Sequence, residues 1–448
     1  MTRGVCVIAA MVDPELWRTL TFQGGYNTSV VMAATMLLGA AAGVIGTFAL
    51  LRKRSLVADA VSHATLPGIC IAFIIVASLG GPARSLPVLL LGATGSSIIG
   101  VLTIHAIVRY TRLREDAAIG IVLSVFFGIG VVLLSLIQTM QTGQQAGLKT
   151  YIYGQAAAMN RGDAILLAGI AAMAVVVAGL LLKELRVVCF DQDFAAVNGW
   201  PVQTLDLMMM SLIVVVTVAG LQAVGLILVV AMLIIPPASA RFWTDRMGLV
   251  VVLSALMGAT SGYVGTAISA MAPKAPAGAV IVLTGGAIFL LSLVCAPRRG
   301  VGAGFVRWLR LRLRMAADHA VEALYERERA RASTPGGFAT AAHVRGWSRV
   351  ESWLVMIALV LRGFVTRREG VIALTQAGRE RGQRIERNHR LWEQYLITRA
   401  DVAPSHVDWS VDQVEHVLSP RIIAELERTL AVEDERSRSA ADRAEAQA

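Results

Sequence analysis

Long apolar runs separated by short polar breaks fill the chain as far as residue 297, and then the pattern changes. Runs at 27–51, 56–80, 86–108, 116–138, 163–182, 203–221, 223–240, 248–270 and 276–296 predict nine helices, since about 20 apolar residues cross a bilayer. The 203–240 block is nearly continuous. It is interrupted only at Gly220–Gly225, which reads as a tight turn or a re-entrant break. Residues 1–24 form a lead-in: Val5–Val12 is too short to span, and Trp17 and Phe22 sit where headgroup-level anchors would. After 297 the apolar runs shorten. Phe305–Arg314 alternates basic and apolar residues, as a membrane-surface helix or a solvated linker would. A helix at 316–332, a break at Thr334–Gly337, an apolar helix at Arg349–Leu361 and a hairpin at Gly363–Thr375 follow. Two further helices are expected at about 375–400 and 410–431, and a charged, disordered end at 432–448. The fold class is thus an all-α polytopic membrane bundle followed by a small α/β winged-helix-like and helical cytoplasmic domain.

Composition agrees with that division. Hydrophobic residues make up 56% of the chain and charged ones 16%, with mean hydropathy +0.63, whereas a soluble domain carries about a quarter charged residues. The charge of +10 suits loops facing anionic lipid better than nucleic acid. Arg52-Lys53-Arg54, Arg109/Arg112/Arg114, Lys183/Arg186, Arg241/Arg246 and Arg298-Arg299 occupy alternate loops. The loops between them carry only Arg84, Lys149, Arg161 and Lys274. The positive-inside rule therefore places the first set and the tail in the cytoplasm, with the chain multi-pass in the cell (inner) membrane. Cys6, Cys70, Cys189 and Cys295 show no CxxC spacing, so neither a disulfide framework nor a thiolate metal site is expected.

Within the second run, Leu56–Phe73 (LVADAVSHATLPGICIAF) carries Asp59 and His63 one helical turn apart on one face. Ionisable groups at membrane depth are costly and mark function, and a carboxylate with an imidazole suits Mn²⁺, Fe²⁺ or Zn²⁺. The alternative is an interfacial first turn in which Asp59 merely caps the helix. Pro67-Gly68 just beyond can break or bend the helix. Further ligands come from His105 or from Gln138, Gln141, Gln144 and Gln145, unless these pack or line a solvated loop. No phosphate-cradling G-x-x-x-x-G-K-[ST] is present: Lys53, Lys149, Lys183 and Lys274 all lack the preceding glycine. ATP-driven transport would need an ATPase on another subunit.

LVADAVSHATLPG resembles the signature of the ABC-type metal-ion permeases, the manganese/zinc/iron importer membrane subunits. Cys189–Asp206 (CFDQDFAAVNGWPVQTLD) is similar to that family's coupling segment, and Ala223–Arg246 to its late paired-helix signature. The resemblance covers about residues 25–297. It implies a permease pairing with a second copy or a sister permease, a cytoplasmic ABC ATPase, and an extracytoplasmic metal-binding protein. It also implies that Asp59 and His63 line the transport path. Asp193–Val197 predicts a short helix, closed by Asn198-Gly199 and stopped by Pro201. Asp193, Phe194, Ala195, Val197 and Gly199 are its candidate ATPase-coupling residues.

The tail holds five of the seven histidines: His319, His343, His389, His406 and His416. His389 and Glu393 fall one helical turn apart, as do Asp412, Glu415 and His416; spacing alone favours a solvated face with ordinary ion pairs over a mixed donor set for a divalent metal. LTQAGRERGQRIERNHRLWEQYL with VEHVLS is similar to the metal-binding and dimerisation region of the diphtheria-toxin-repressor-like regulators. That resemblance implies metal ligands at Glu322, His389, Glu393, Asp412, Glu415 and His416, with His319 substituting at another position. Asp408 stands where some members have histidine. The helix in the DNA-reading position, SRVESWLVMIALVLRGF, offers apolar surface instead of base-reading side chains, so DNA is not an expected partner. The chain is therefore divided as 25–297 permease, 298–315 basic linker, 316–375 degenerate winged-helix-like region and 376–431 metal-binding-like helices. The function expected is import of Mn, Fe or Zn with a metal-sensing tail and no enzymatic activity of its own. The alternative is a membrane-anchored regulator that does not transport.

Overall fold

The computed structural model describes residues 26–79, 86–139, 159–271, 275–329, 346–368 and 371–399, with the isolated positions 21, 424 and 428. Packing divides the chain into Met1–Gly304 and Phe305–Ala448. Among the described residues of the first unit every apolar run folds as a helix. The order is α1 (Tyr26–Leu51), α2 (Ser55–Ser78), α3 (Leu86–Tyr110), α4 (Glu115–Thr139), α5 (Arg161–Leu180), α6 (Leu182–Phe190), α7 (Gln192–Val197), α8 (Val202–Val224), α9 (Leu226–Trp243), α10 (Met247–Met271) and α11 (Ala277–Cys295). Among the described residues eight helices are long and apolar enough to cross a membrane. The ninth apolar run also folds as a helix, α9, which has 18 residues with Pro236 and Pro237 inside and is shorter than most of the others, its stretch Val229–Trp243 being a shorter apolar helix. The break in the 203–240 block is tight: α8 runs on to Val224, and the chain turns at Gly225 alone (φ 95°, ψ 165°), a conformation open essentially to glycine.

Two apolar clusters organise the bundle. One surrounds α1, where Leu38, Ile45 and Phe48 are buried among α5, α8, α9 and α10. The other surrounds α2, where Phe73 packs with Leu89, Ile104 and Val122 of α3 and α4. Lipid tails are as apolar as leucine, so helices in a bilayer gain by close backbone approach at small residues. Gly39 and Gly43 of α1 lie on the carbonyls of Gly258 and Ser254 of α10, where an added Cβ would overlap backbone. Thr35 and Thr266 hydroxyls bond across the same seam at 2.9 Å. Gly68 of α2 meets Gly92 of α3 in the same way.

That contact explains the outcome at Pro67-Gly68, where the sequence allows a break or a bend. Pro67-Gly68 does not break α2, which runs from Ser55 to Ser78 with both residues buried. Proline costs the helix one donor, the one that would serve the His63 carbonyl. The close packing of α2 on α3 and α4 holds the helix together across that gap.

The second unit is built on α12 (Val301–Arg329), α13 (Arg349–Leu361), the antiparallel strands β1 (Val365–Arg368) and β2 (Val371–Leu374), and α14 (Gln376–Arg399). The unit boundary falls near the start of α12. Ala317, Val321, Leu324, Val355, Leu359, Val365 and Leu374 form its core. Arg381 of α14 grips buried Asp318 of α12 with two hydrogen bonds, at 3.0 and 2.7 Å. A capping box starts α13: Ser348 Oγ accepts from Glu351 N at 3.2 Å, and Glu351 accepts from Ser348 N at 3.0 Å. That backbone donor holds the Glu351 carboxyl below its usual range. Trp17, Phe22, the Thr334–Gly337 break, the 410–431 helix apart from positions 424 and 428, and the 432–448 end lie outside the described residues.

Candidate functional site

Asp59 sits one turn inside α2 and His63 one turn further, as their spacing requires. Arg54 is the residue at the N-cap, so Asp59 is not a cap. His63 Nε2 lies 3.6 Å from Asp59 Oδ1, with the side chains 21% and 40% exposed. His63 meets Phe127 of α4 edge-on, with ring centroids 4.9 Å apart. Its Nδ1 is buried and has no hydrogen-bond partner. His63 Nε2, facing the partly open Asp59 carboxylate, gives with it the nitrogen and oxygen donors that can replace water around a divalent ion. His105 is half-buried on α3. Gln138 lies near the end of α4, while Gln141, Gln144 and Gln145 lie outside the described residues. Among the described residues no three His, Cys, Asp or Glu side chains gather at metal-holding range. The structure therefore pairs Asp59 with His63 but does not bring His105 to them.

The segment between α5 and α8 forms a compact knob. Asp191 caps α7 by accepting from Phe194 N at 2.9 Å. Gly199, at φ +80°, ends it. Gly199 N donates to Ala196 O and Trp200 N to Ala195 O, both at 3.0 Å, the paired bonds of a Schellman cap. Ala195 is buried with Val188 and Leu205, and Trp200 packs against them. Asp193 is exposed, and so are Phe190, Phe194 (58%) and Val197 (87%), which gives the knob an apolar tip. Of the five candidate coupling residues, Asp193, Phe194 and Val197 thus face outward, whereas Ala195 and Gly199 shape the turn.

Loop charge alone did not reveal what lies behind this knob. Arg52 Nη2 pairs with Asp206 Oδ1 of α8 at 2.8 Å, Arg54 Nη1 with Asp206 Oδ2, and Arg54 Nε with Glu115 Oε1 of α4 at 2.7 Å. Arg52 also donates to the Val188 carbonyl of α6 at 3.1 Å, and the Gln192 amide of α7 accepts from it when its oxygen faces the guanidinium. Arg52, Arg54 and Asp206 side chains are at most 16% exposed. Nearby Cys189 has its thiol pushed up to about 11, first by burial and then by Asp206, against the opposing pull of Arg52 and Arg54.

Residues 26–296 match the ABC 3 transport family. The chain belongs to that family. It is similar to the manganese transport system membrane protein MntC of Bacillus subtilis, 39% identical over 381 residues, 84% of this chain and 86% of that one. It is also similar to the zinc transport system membrane protein TroC of Treponema pallidum, 43% identical over 279 residues, 62% of this chain and 91% of that one. Among solved structures it resembles PsaBC from Streptococcus pneumoniae in complex with Fab. There the TM-score is 0.55 at 29% identity, covering 66% of this chain and 99% of that chain. This ABC 3 family permease is a membrane-inserted transport subunit of mostly helical build.

The tail of the permease has a match of its own: residues 375–435 fit the iron dependent repressor, metal binding and dimerisation domain. The alignment with MntC of B. subtilis, at 381 residues, exceeds the 304 of the first unit and so continues into this region. Glu322 of α12 stands between two histidines, with Oε2 3.6 Å from His319 Nδ1 and Oε1 4.0 Å from His389 Nδ1 of α14. The three side chains are 9–27% exposed. The carboxylate and two imidazoles have the donor chemistry of a divalent transition metal, although their spacing is that of ion pairs and not of a closed cage. Glu393 lies on α14, its side chain outside the description, and Asp408, Asp412, Glu415 and His416 lie outside the described residues.

Proposed function

We propose that this permease moves a divalent transition metal, Mn²⁺, Fe²⁺ or Zn²⁺, into the cell past Asp59 and His63. The observation that carries the reading is the Asp59–His63 pair, partly open on α2 with His63 Nε2 facing the Asp59 carboxylate, within an ABC 3 family bundle. The names of the manganese and zinc transport relatives support the substrate class. The arginine-rich helix ends, including Arg52, Arg54, Arg241 and Arg246, are the cytoplasmic ones, and the tail is cytoplasmic with them. A separate cytoplasmic ABC ATPase docks on the apolar tip formed by Phe190, Phe194 and Val197, with Asp193 beside it. An extracytoplasmic metal-binding protein delivers the ion, and a second permease copy or a sister permease completes the passage.

The tail, with residues 298–315 as its linker, 316–375 as a degenerate winged helix and 376–431 as metal-binding helices, senses cytoplasmic metal. Glu322, His319 and His389 would hold the ion, joined by Glu393, Asp412, Glu415 and His416. The exposed residues of α13 include Val350, Trp353, Val360 and Leu361, which suit contact with protein better than base edges.

Uptake of radiolabelled Mn²⁺ or Zn²⁺ into vesicles holding the full chain, its ATPase and its binding protein tests both parts. Asp59→Asn and His63→Gln should abolish uptake while ATP hydrolysis persists. Undiminished uptake would remove both residues from the path. Glu322→Gln should leave basal uptake intact and relieve inhibition by metal loaded on the cytoplasmic face; unchanged inhibition overturns the sensor.

A further inference from the structure

The charged cluster behind the knob joins α6, α7 and α8 to the starts of α2, the helix bearing Asp59, and α4. Arg52 directly follows α1 and reaches α6 through the Val188 carbonyl and α7 through Gln192. Asp206, one turn into α8, accepts from Arg52 and Arg54 at once. Arg54 is the N-cap residue of α2, five positions before Asp59, and it also holds Glu115 at the start of α4, the helix that carries Phe127 against His63. A solvated loop would leave these side chains in water. Here two guanidinium groups and one carboxylate are mostly withdrawn from it, and burying charge is tolerated only when each group is paired and geometrically fixed.

We propose that Asp206, Arg52 and Arg54 form a positioning lock that makes α6–α7 and the N-terminal turns of α2 and α4 move as one body. A displacement at Phe194 and Val197 then becomes a displacement of Asp59, His63 and Phe127. The cluster's role is to convert ATPase motion into opening or closing of the metal path. Rigid coupling of this kind needs a two-ended, oriented contact, and Asp206 supplies it by giving one oxygen to each arginine. The inference rests on the proposed coupling of this segment to an ATPase. It adds that the link to the path runs through these three residues and not through α6–α7 packing alone.

The test is full-length chain reconstituted with its ATPase and binding protein, with metal uptake and ATP hydrolysis read on the same vesicles. Asp206→Asn keeps size and one acceptor but loses the charge that binds both arginines. Hydrolysis should continue while metal moved per ATP falls about five-fold or more, the lower end of ordinary coupling between sites. Asp206→Glu should restore most of the ratio. A merely structural role predicts hydrolysis, uptake and melting temperature falling together, and that result, or an unchanged ratio, overturns the lock. Spin labels at Arg186 of α6 and Leu56, both exposed and outside the docking tip, give a second readout independent of metal. The distance between them should hold on adding ATP in the wild-type chain and change in Asp206→Asn or Arg54→Gln. A wild-type distance that already changes overturns the proposal even if transport is intact. Loss of transport in Asp59→Asn alone, with that distance held, bears on the path and not on the lock.

Discussion

Replacing Gly199 with valine changes one backbone conformation and little else. At φ +80° an added Cβ meets nothing within 4 Å, so no clash enters the cost. Two routes are open to the variant. It can keep the left-handed conformation, at about 1–2 kcal/mol for an L-residue and at the upper end for a β-branched one. Or it can release the cap, losing the Gly199 N–Ala196 O and Trp200 N–Ala195 O bonds, each contributing about 1 kcal/mol net. The second route also frees Trp200 from its packing beside Ala195. The first route is therefore no dearer than the second, and the expected loss is about 1–2 kcal/mol, roughly a tenfold shift in local opening. Asparagine tolerates the left-handed region, so Gly199→Asn should lose far less. Hydrogen exchange of residues 188–205 in detergent or nanodiscs measures both. Protection should fall about tenfold in Gly199→Val, little in Gly199→Asn, and not at all in the α1–α10 seam. Equal losses in the two variants, or none in either, would refute the account of the cap.

The helix seam makes a sharper stability prediction. Gly258→Ala, which forces a Cβ into the Gly39 carbonyl, should lower stability by about 1–3 kcal/mol in thermal unfolding in detergent. Gly169→Ala on α5, where nothing lies within 4 Å, should be neutral or slightly stabilising; a common drop for the two would refute the close-packing argument. Cys189, with its thiol raised to about 11, should alkylate about a hundredfold more slowly at pH 8 than an ordinary thiol, since each pKa step is tenfold in thiolate. Its rate should climb until about pH 11, measured with the other three cysteines replaced by serine. A plateau near pH 9 would mean that burial and Asp206 do not control it.

Much of this permease could be read without coordinates. Lipid admits few backbone solutions, so the apolar runs had to become helices, and Asn198-Gly199 had to stop the one in the knob. The i, i+4 pair on α2 followed from helical period alone. Other features depended on what lies opposite in space. Pro67 reads as a break or a bend, and α2 runs on through it because Gly68 seats against Gly92 and the packing outweighs one missing donor. Arg52 and Arg54 read as ordinary topogenic charge, and only the arrival of Asp206, more than 150 positions later, turns them into a buried cluster. Glu322 and His389 are 67 residues apart in sequence and meet only because Arg381 and Asp318 clamp α14 onto α12. Period and composition act over neighbouring residues, so they set which segments are helices and which faces are apolar. Which charge finds which partner is a long-range matter, settled by packing, because burying a charge is affordable only where its counterpart is already in place.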